Sequence, residues 1–502
     1  MRRRLEPCDR TEVRRRFVRG RVEPRGVVWF GLRSFWGHLR HFLASGIATE
    51  DIDSRHWMTP DDPTQLVQRV AEILGGKPNA TNLLESLDRD LFIDYVSDTG
   101  DDVSVSQALA NLLVAEYDLP DPRCPTERIE APRGELLLFG GDTAYPVATA
   151  LEITNRIIVP FNRAIEAQPD DKPRVLLGIP GNHDWYDGLD GFGRLFRRRD
   201  EEPTDSRPTL FGISPRMLQH YTEWARELVR GGKVEKPRAL VLSGYTPVQD
   251  ASYFVLPLTP DIHLFAADRQ LKQIDPRQRR FMREWYGNHP EVAPWVLLPD
   301  PLYAFGRPSP TGTRTVESLG LDFGARDHFL LSGDVHHYER SKEDRLLHVT
   351  AGGGGAFLHP APMFEGRLRA DVRWPNATQS RALLRQVPWK VARGRSGFLP
   401  HLSLAALYGL ALAASTAYDE QPALLPLSSA ALCLIVTLVY RAIGGLRNAA
   451  RRVLPLAFGA GLLTACIPQV LAFGLERAAL GSHVMLSRWV IGLLSLLAAA
   501  FV

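Results

Sequence analysis

Three stretches far apart in the sequence each run from apolar residues into glycine and then into side chains that ligate hard cations. They are Leu136-Leu137-Leu138-Phe139-Gly140-Gly141-Asp142, Val175-Leu176-Leu177-Gly178-Ile179-Pro180-Gly181-Asn182-His183-Asp184, and Phe329-Leu330-Leu331-Ser332-Gly333-Asp334-Val335-His336-His337. Asp142 has two oxygens with which to bridge two cations, Asn182 offers an amide oxygen, and Asp334 and His336 add a carboxylate and an imidazole. His183 is suited to donate a proton to a leaving group, with Asp184 as the carboxylate that orients its ring. In a two-metal site of this kind the cations acidify a water and neutralise the charge that develops on phosphorus.

Such residues need rigid mounts. An apolar run of four or five residues bounded by Gly and Pro reads as a buried strand, and open α/β sheets bind ligands just beyond the carboxyl ends of their strands. Between 142 and about 372 apolar runs alternate with helix-like stretches at 148–167 and 277–286, as an α/β domain requires. Further strands are predicted at 91–96, 239–242, 262–266 and 295–298, and helical periodicity at 65–74 and 107–117. The segment 194–208, rich in Arg, Asp, Glu and Pro, reads as a solvated loop. The run Gly352 to Gly355 fits either an anion nest or a tight turn; no Gly-Lys-Ser/Thr follows it, which favours the turn. Tyr145 is read as core or contact, while His359, Asp268, Arg269 and Asp275 either touch substrate or fix loops. His337, Tyr338 and Glu339 are read as support for the site.

From about Leu91 to His359, over half the chain, these motifs resemble the calcineurin-like metallophosphoesterase family. The family pattern is D-x-H, G-D-x-x-D/N, G-N-H-D/E, a lone His, and G-H-x-H. The resemblance implies an α/β fold, a two-sheet α/β/β/α sandwich, and two divalent metal ions. Gly141-Asp142 matches the bridging aspartate, Asn182 the metal-binding asparagine, His183 the catalytic acid and Asp184 its partner. In Gly333-Asp334-Val335-His336 an aspartate stands for the first histidine of G-H-x-H. Two motifs depart further. Asp98 fits the first aspartate, but Gly100 falls where the histidine should be, so Asp101 is the expected compensating ligand. The segment Val296 to Leu302 offers Pro299 and Asp300 where the family has its lone His, which makes Asp300 the expected replacement. The shift from imidazole to carboxylate favours Mn2+, with Fe2+, Mg2+ or Zn2+ as alternatives. The implied activity is metal-dependent hydrolysis of a phosphoester or phosphoanhydride. The alternative is a catalytically impaired metal-binding receptor or scaffold.

The 502 residues are 23% charged and 45% hydrophobic with a formal charge of +3, a near-neutral balance that does not suggest a nucleic-acid binder, and no nucleic-acid partner is expected. Four cysteines, Cys8, Cys124, Cys433 and Cys466, form no C-x-x-C pair and suit a reducing compartment. The basic start, with Arg2 to Arg4 and Arg14 to Arg16, is followed by no apolar h-region, so the front half is read as unexported. We divide the chain into a basic, Trp-containing N-terminal extension at 1–85, a catalytic domain at 86–380, a basic linker at 381–398, and a transmembrane segment at 399–502. The mixed aromatic and basic residues from Val27 to Leu39 suit either a helix lying on a membrane surface or an ordinary packing helix. Four spans are expected at 399–418, 423–440, 453–475 and 484–502, the last interrupted by Arg488. Basic residues before the first span and at 441–452 place the catalytic domain in the cytoplasm of a multi-pass plasma-membrane protein. The expected partners are the lipid bilayer and a phosphoester, with lipid-linked substrates suggested by the anchoring.

Overall fold

The computed structural model describes residues 26–29, 59–121, 124, 126–198, 239–270, 274–321, 327–360 and 368–392. The chain divides into two compact units, Met1–Val27 with Trp36–Leu384 and Val28–Phe35 with Arg385–Val502. Nearly all described residues belong to the first. The spans expected at 399–418, 423–440, 453–475 and 484–502 lie outside the described residues, as do 199–208 and most of the N-terminal extension before 59. Among the described residues no helix is long and apolar enough to cross a membrane.

The first unit is a mixed α/β fold with several sheets. In chain order it carries α1 (Pro63–Leu74), α2 (Leu83–Leu87), β1 (Ile93–Val96), α3 (Val103–Leu113), β2 (Tyr117–Pro120), β3 (Arg128–Ala131), β4 (Leu136–Phe139), α4 (Ala150–Ile153), α5 (Val159–Ala167) and β5 (Arg174–Gly178). There follow α6 (Asn182–Trp185), α7 (Asp190–Phe196), β6 (Tyr245–Pro247), β7 (Phe254–Thr259), β8 (Ile262–Ala266), α8 (Pro276–Asn288), β9 (Ala293–Leu298), β10 (Tyr303–Ala304) and β11 (Arg307–Pro308). The last elements are α9 (Pro310–Leu319), β12 (His328–Ser332), β13 (Tyr338–Glu343), β14 (Leu346–Ala351), β15 (Ala370–Trp374) and the start of α10 (Ala377–Ala392), whose residues from 385 on belong to the second unit.

One sheet has the order β1-β4-β5-β6 and is parallel throughout. The larger has seven strands in the order β15-β13-β14-β12-β9-β8-β7, with parallel pairs only at β12–β14, β12–β9 and β8–β9. Side-chain alternation sorts the small sheet's residues into two cores. Leu136, Leu138, Val175 and Leu177 share one core with Phe254, Leu256, Leu264, Ala266 and Leu297 of the large sheet, so the two sheets face each other. Leu137, Phe139 and Leu176 face the opposite way, onto Ala110, Phe161, Ile165, Phe192 and Phe196 of the helices. The far face of the large sheet, with Val255, Phe265, Val296, Leu298 and Leu330, packs on Met282, Val316 and Leu319 of α8 and α9. Burial on both faces is why β4 is an unbroken apolar run.

Most predicted elements form with shifted ends. The periodicity at 107–117 belongs to a helix that stops at Leu113, because Tyr117 opens β2. Instead of a strand at 239–242 the chain forms β6 three residues later, and Val241 is exposed. The helix expected over 148–167 contains a π-helical turn at Thr154–Ile158. Pro160, lacking an amide hydrogen and crowding the carbonyl four residues back, accounts for that local widening. α1 lies in the region read as N-terminal extension, yet its Leu66, Val67, Val70 and Leu74 join the core between the sheets. It is capped by Asp62, which accepts from Thr64 N at 2.9 Å, and ends at Gly75 with a φ of 73°.

Candidate functional site

β1, β4 and β12 each run into an aspartate with left-handed backbone: Asp98 at φ 58°, Asp142 at 50° and Asp334 at 63°. That conformation costs an L-residue about 1–2 kcal/mol, and Asp is among the side chains that tolerate it. Hydrogen bonds hold it in place. Asp98 N donates to Gly141 O at 3.0 Å and Thr99 N to Asp142 O at 3.0 Å, which ties the first two turns together. Asp334 N donates to Asp98 Oδ2 at 3.0 Å, joined there by Ser97 Oγ at 2.7 Å, which brings the strand end of the second sheet to that of the first. The approach is close enough that a Cβ on Gly181 would collide with Asp142 Oδ1, and one on Gly333 would sit 2.6 Å from Asp98 Oδ2.

Four lone-pair donors meet at one point. Tyr145 Oη lies 2.9 Å from Asp98 Oδ1, 3.1 Å from Asp142 Oδ2 and 3.1 Å from His336 Nε2, while His336 Nε2 is 3.4 Å from Asp98 Oδ1. His336 Nδ1 is 2.7 Å from Phe357 O, a carbonyl that only accepts, so Nδ1 carries a proton. Burial disfavours a second proton on the ring, but the Asp98 carboxylate beside Nε2 outweighs it and raises the pKa of His336 above the ordinary value. Among the described residues no group of three or more His, Cys, Asp or Glu is arranged to hold a metal by itself. The phenol of Tyr145 stands among Asp98, Asp142 and His336.

The rest of the predicted ligand set is organised by an arginine. Arg269, after β8, forms a close ion pair with Asp300 after β9, and its Nη2 donates to Asn182 Oδ1 at 3.1 Å. The amide of Asn182 is turned by its own Nδ2, which donates to Tyr186 Oη at 3.0 Å. Asp300 and Asp334 therefore do reach the cluster, beside a resident positive charge.

One expected role changes. Asp184 does not orient His183: its carboxylate accepts from Gly181 N at 2.9 Å and from Thr143 N at 3.3 Å, fixing the Asn-His-Asp turn. The imidazole is oriented by Pro146 O, 2.7 Å from Nδ1, and the backbone N of His183 donates to Asp142 Oδ1 at 2.9 Å. Asp101, expected to compensate for the missing histidine, accepts from Val27 N on Oδ1 at 3.0 Å and from Arg156 on its carbonyl. The glycine run lies against the Asp98 turn, with Ala356 N donating to Asp98 O at 3.0 Å, as a close-packed loop. His359 stacks on His336 with ring centroids 4.6 Å apart, and its Nδ1 accepts from His336 N at 2.9 Å.

Burial and the neighbouring carboxylates Asp98 and Asp334 push Asp142 up to about 7. Burial also raises Asp300 to about 7 against the opposing pull of Arg269, and raises Asp184 to about 7 with help from Asp142. Asp334 is raised by burial as well. His183 is pushed down to about 4 by burial, so its ring is neutral at neutral pH with its proton on Nδ1. A cluster of buried carboxylates that hold protons in isolation is one that positive charge would discharge. Sequence reading left the role of Tyr145 open and gave Arg269 no metal-like place; only the register of three separate strand ends shows what they face.

No family model matches the chain, and no curated protein matches it. Among solved structures it aligns with one described as GAP50, the anchor in the inner membrane complex of Plasmodium, at 11% identity and a TM-score of 0.29, over 55% of this chain and 77% of that one. It also aligns with PhoD at 10% identity and a TM-score of 0.25, over 50% of this chain and 52% of that one, so about half of PhoD is spanned. Likeness at this level carries no functional inference.

Proposed function

We propose that this chain is a metal-dependent phosphoester hydrolase whose layered sheets form the sandwich of the calcineurin-like metallophosphoesterases. The observation that carries the reading is the convergence of Asp98 Oδ1, Asp142 Oδ2 and His336 Nε2 on Tyr145 Oη, each within 3.1 Å of it. Oxygen-rich donors with one imidazole suit manganese or another hard ion better than zinc. A cation bound there supplies Lewis acidity toward a phosphoryl oxygen and acidifies a water.

The chain's own groups supply the rest. Arg269 presents guanidinium hydrogens to a phosphoryl oxygen, the fork geometry that suits this group. Asn182 is held by Tyr186 so that its carbonyl faces the same place. Pro146 O fixes the His183 ring with Nε2 as the group that exchanges protons. A phosphoester anion beside the ring raises its affinity for a second proton, which Nε2 passes to the leaving oxygen. Anchoring by the apolar stretches after 398, a cytoplasmic catalytic domain and a lipid-linked phosphoester substrate belong to the same proposal and rest on the sequence.

The test is hydrolysis of bis(p-nitrophenyl) phosphate by the detergent-purified chain, stripped of metal and resupplied with Mn2+, beside Asp142→Ala and His183→Ala. Restored turnover in the wild type, lost in both variants with the fold retained, is expected. Wild-type turnover in either variant sinks the assignment. Bound metal with no turnover toward generic or lipid phosphoesters points instead to a receptor or scaffold.

A further inference from the structure

We infer that Arg269 is a built-in second cation, and that the chain binds one metal ion, at Asp98, Asp142, Tyr145 and His336, where the resemblance implies two. The inference rests on the metal-dependent reading proposed above. Its starting point is the guanidinium, which uses Asn182 Oδ1 at 3.1 Å and the carboxylate of Asp300, two of the groups expected to hold the other metal. Asp334 and Asp142 also lie within electrostatic reach of it. An arginine in a protein cannot shed its proton, so it cannot yield that place by becoming neutral.

The mount of Arg269 is rigid. Its neighbour Asp268 is fully buried and held from several directions: Trp185 Nε1 donates to Oδ1 at 2.8 Å, Ser252 Oγ to Oδ2 at 2.5 Å and Gln270 N to Oδ1 at 2.7 Å. Gln278 closes both sides of the Asp268 backbone, accepting from its N at 2.8 Å and donating to its O at 2.6 Å. A side chain on so fixed a backbone, itself largely buried between Asn182 and Asp300, is held in place by the fold.

This also gives one cause for two departures from the family pattern. At the lone-His position stands Asp300, and at the first His of G-H-x-H stands Asp334. A neutral imidazole offers a metal one lone pair but gives a guanidinium no charge and no fork to grip. A carboxylate gives both, so exchanging these two histidines for aspartates matches the exchange of a metal for an arginine.

Metal content distinguishes the possibilities without reference to turnover. The full chain, purified in detergent and equilibrated with excess Mn2+, is assayed by elemental analysis and by electron paramagnetic resonance, beside Arg269→Ala and Arg269→Lys. The wild type and Arg269→Lys should each hold one ion with an uncoupled manganese signal, and Arg269→Ala should gain a second ion and the signal of a coupled pair. Two ions in the wild type overturn the inference while leaving the metal-dependent reading intact, and need no variant to fold. A single ion in a folded Arg269→Ala chain removes Arg269 from the metal's place. No ion in any form overturns both this inference and the reading beneath it.

Discussion

Around Tyr145 Oη two carboxylate oxygens and an imidazole nitrogen converge, and the proposed reading makes this phenol a metal ligand where it would otherwise be a buried core tyrosine. A core phenol satisfied by hydrogen bonding needs one acceptor; this one faces two carboxylate oxygens and an imidazole nitrogen. Tyr145→Phe keeps the ring, which packs 4.4 Å from the His183 ring, and removes only the donor oxygen. Metal affinity measured in a chelator-buffered titration should fall by at least about 10-fold, since even groups supporting a ligand contribute that much. Unchanged affinity returns Tyr145 to the core. The aspartates and His336 were legible in the sequence because Gly-Asp and Asp-x-His at strand ends carry a local signal. Tyr145 and Arg269 were not, since their meaning depends on which atoms from other strands face them.

The elements explain why the strand ends were readable and other boundaries were not. β4, β5 and β12 are apolar runs ended by glycine or serine, and each delivers a polar site residue, Asp142, Asn182 or Asp334, within a few residues of its end. The π-turn before Pro160, the short β6 and the inclusion of α1 in the inner core depend on tertiary packing that a local window does not contain. α8 illustrates a further consequence of packing helix on sheet. Its Trp285 donates from Nε1 to Nδ1 of His263 on β8 at 3.1 Å, which requires the imidazole to present a lone pair there. Burial, and then the neighbouring His289, push His263 from its ordinary 6.5 down to about 4, with Glu291 opposing weakly. Because the folded value is depressed, the stabilisation is complete above about pH 6.5, erodes as the unfolded chain takes up protons below that, and is gone once pH passes about 4. His263→Gln keeps an acceptor for Trp285 without a titrating group. Its urea midpoint should therefore vary less between pH 6.5 and 4 than that of the wild type; parallel curves would place the acid sensitivity elsewhere.

For the whole molecule the question is how a site of this chemistry meets its substrate. The stretches 399–418, 423–440, 453–475 and 484–502 are close to the length that a bilayer core of about 30 Å requires. The arginines at 441, 447, 451 and 452 lie between the second and third stretches, opposite in the predicted topology to the acidic connection Asp419-Glu420. The proposed topology follows from that asymmetry and has the catalytic unit on the cytoplasmic face. The full chain should stay with membranes through an alkaline carbonate wash, and protease added to sealed cells should cleave the catalytic unit only after permeabilisation. Release by carbonate would mean that the apolar stretches bury one another in a soluble helical bundle. If the chain does remain in the bilayer, anchoring confines the site to within reach of head groups, raising the local concentration of lipid-borne esters over soluble ones. Hydrolysis of a phospholipid ester in the same vesicle as the chain should then exceed that in separate vesicles mixed with it. Equal rates in the two arrangements, with soluble phosphoesters cleaved as fast, would leave the anchor the task of location alone.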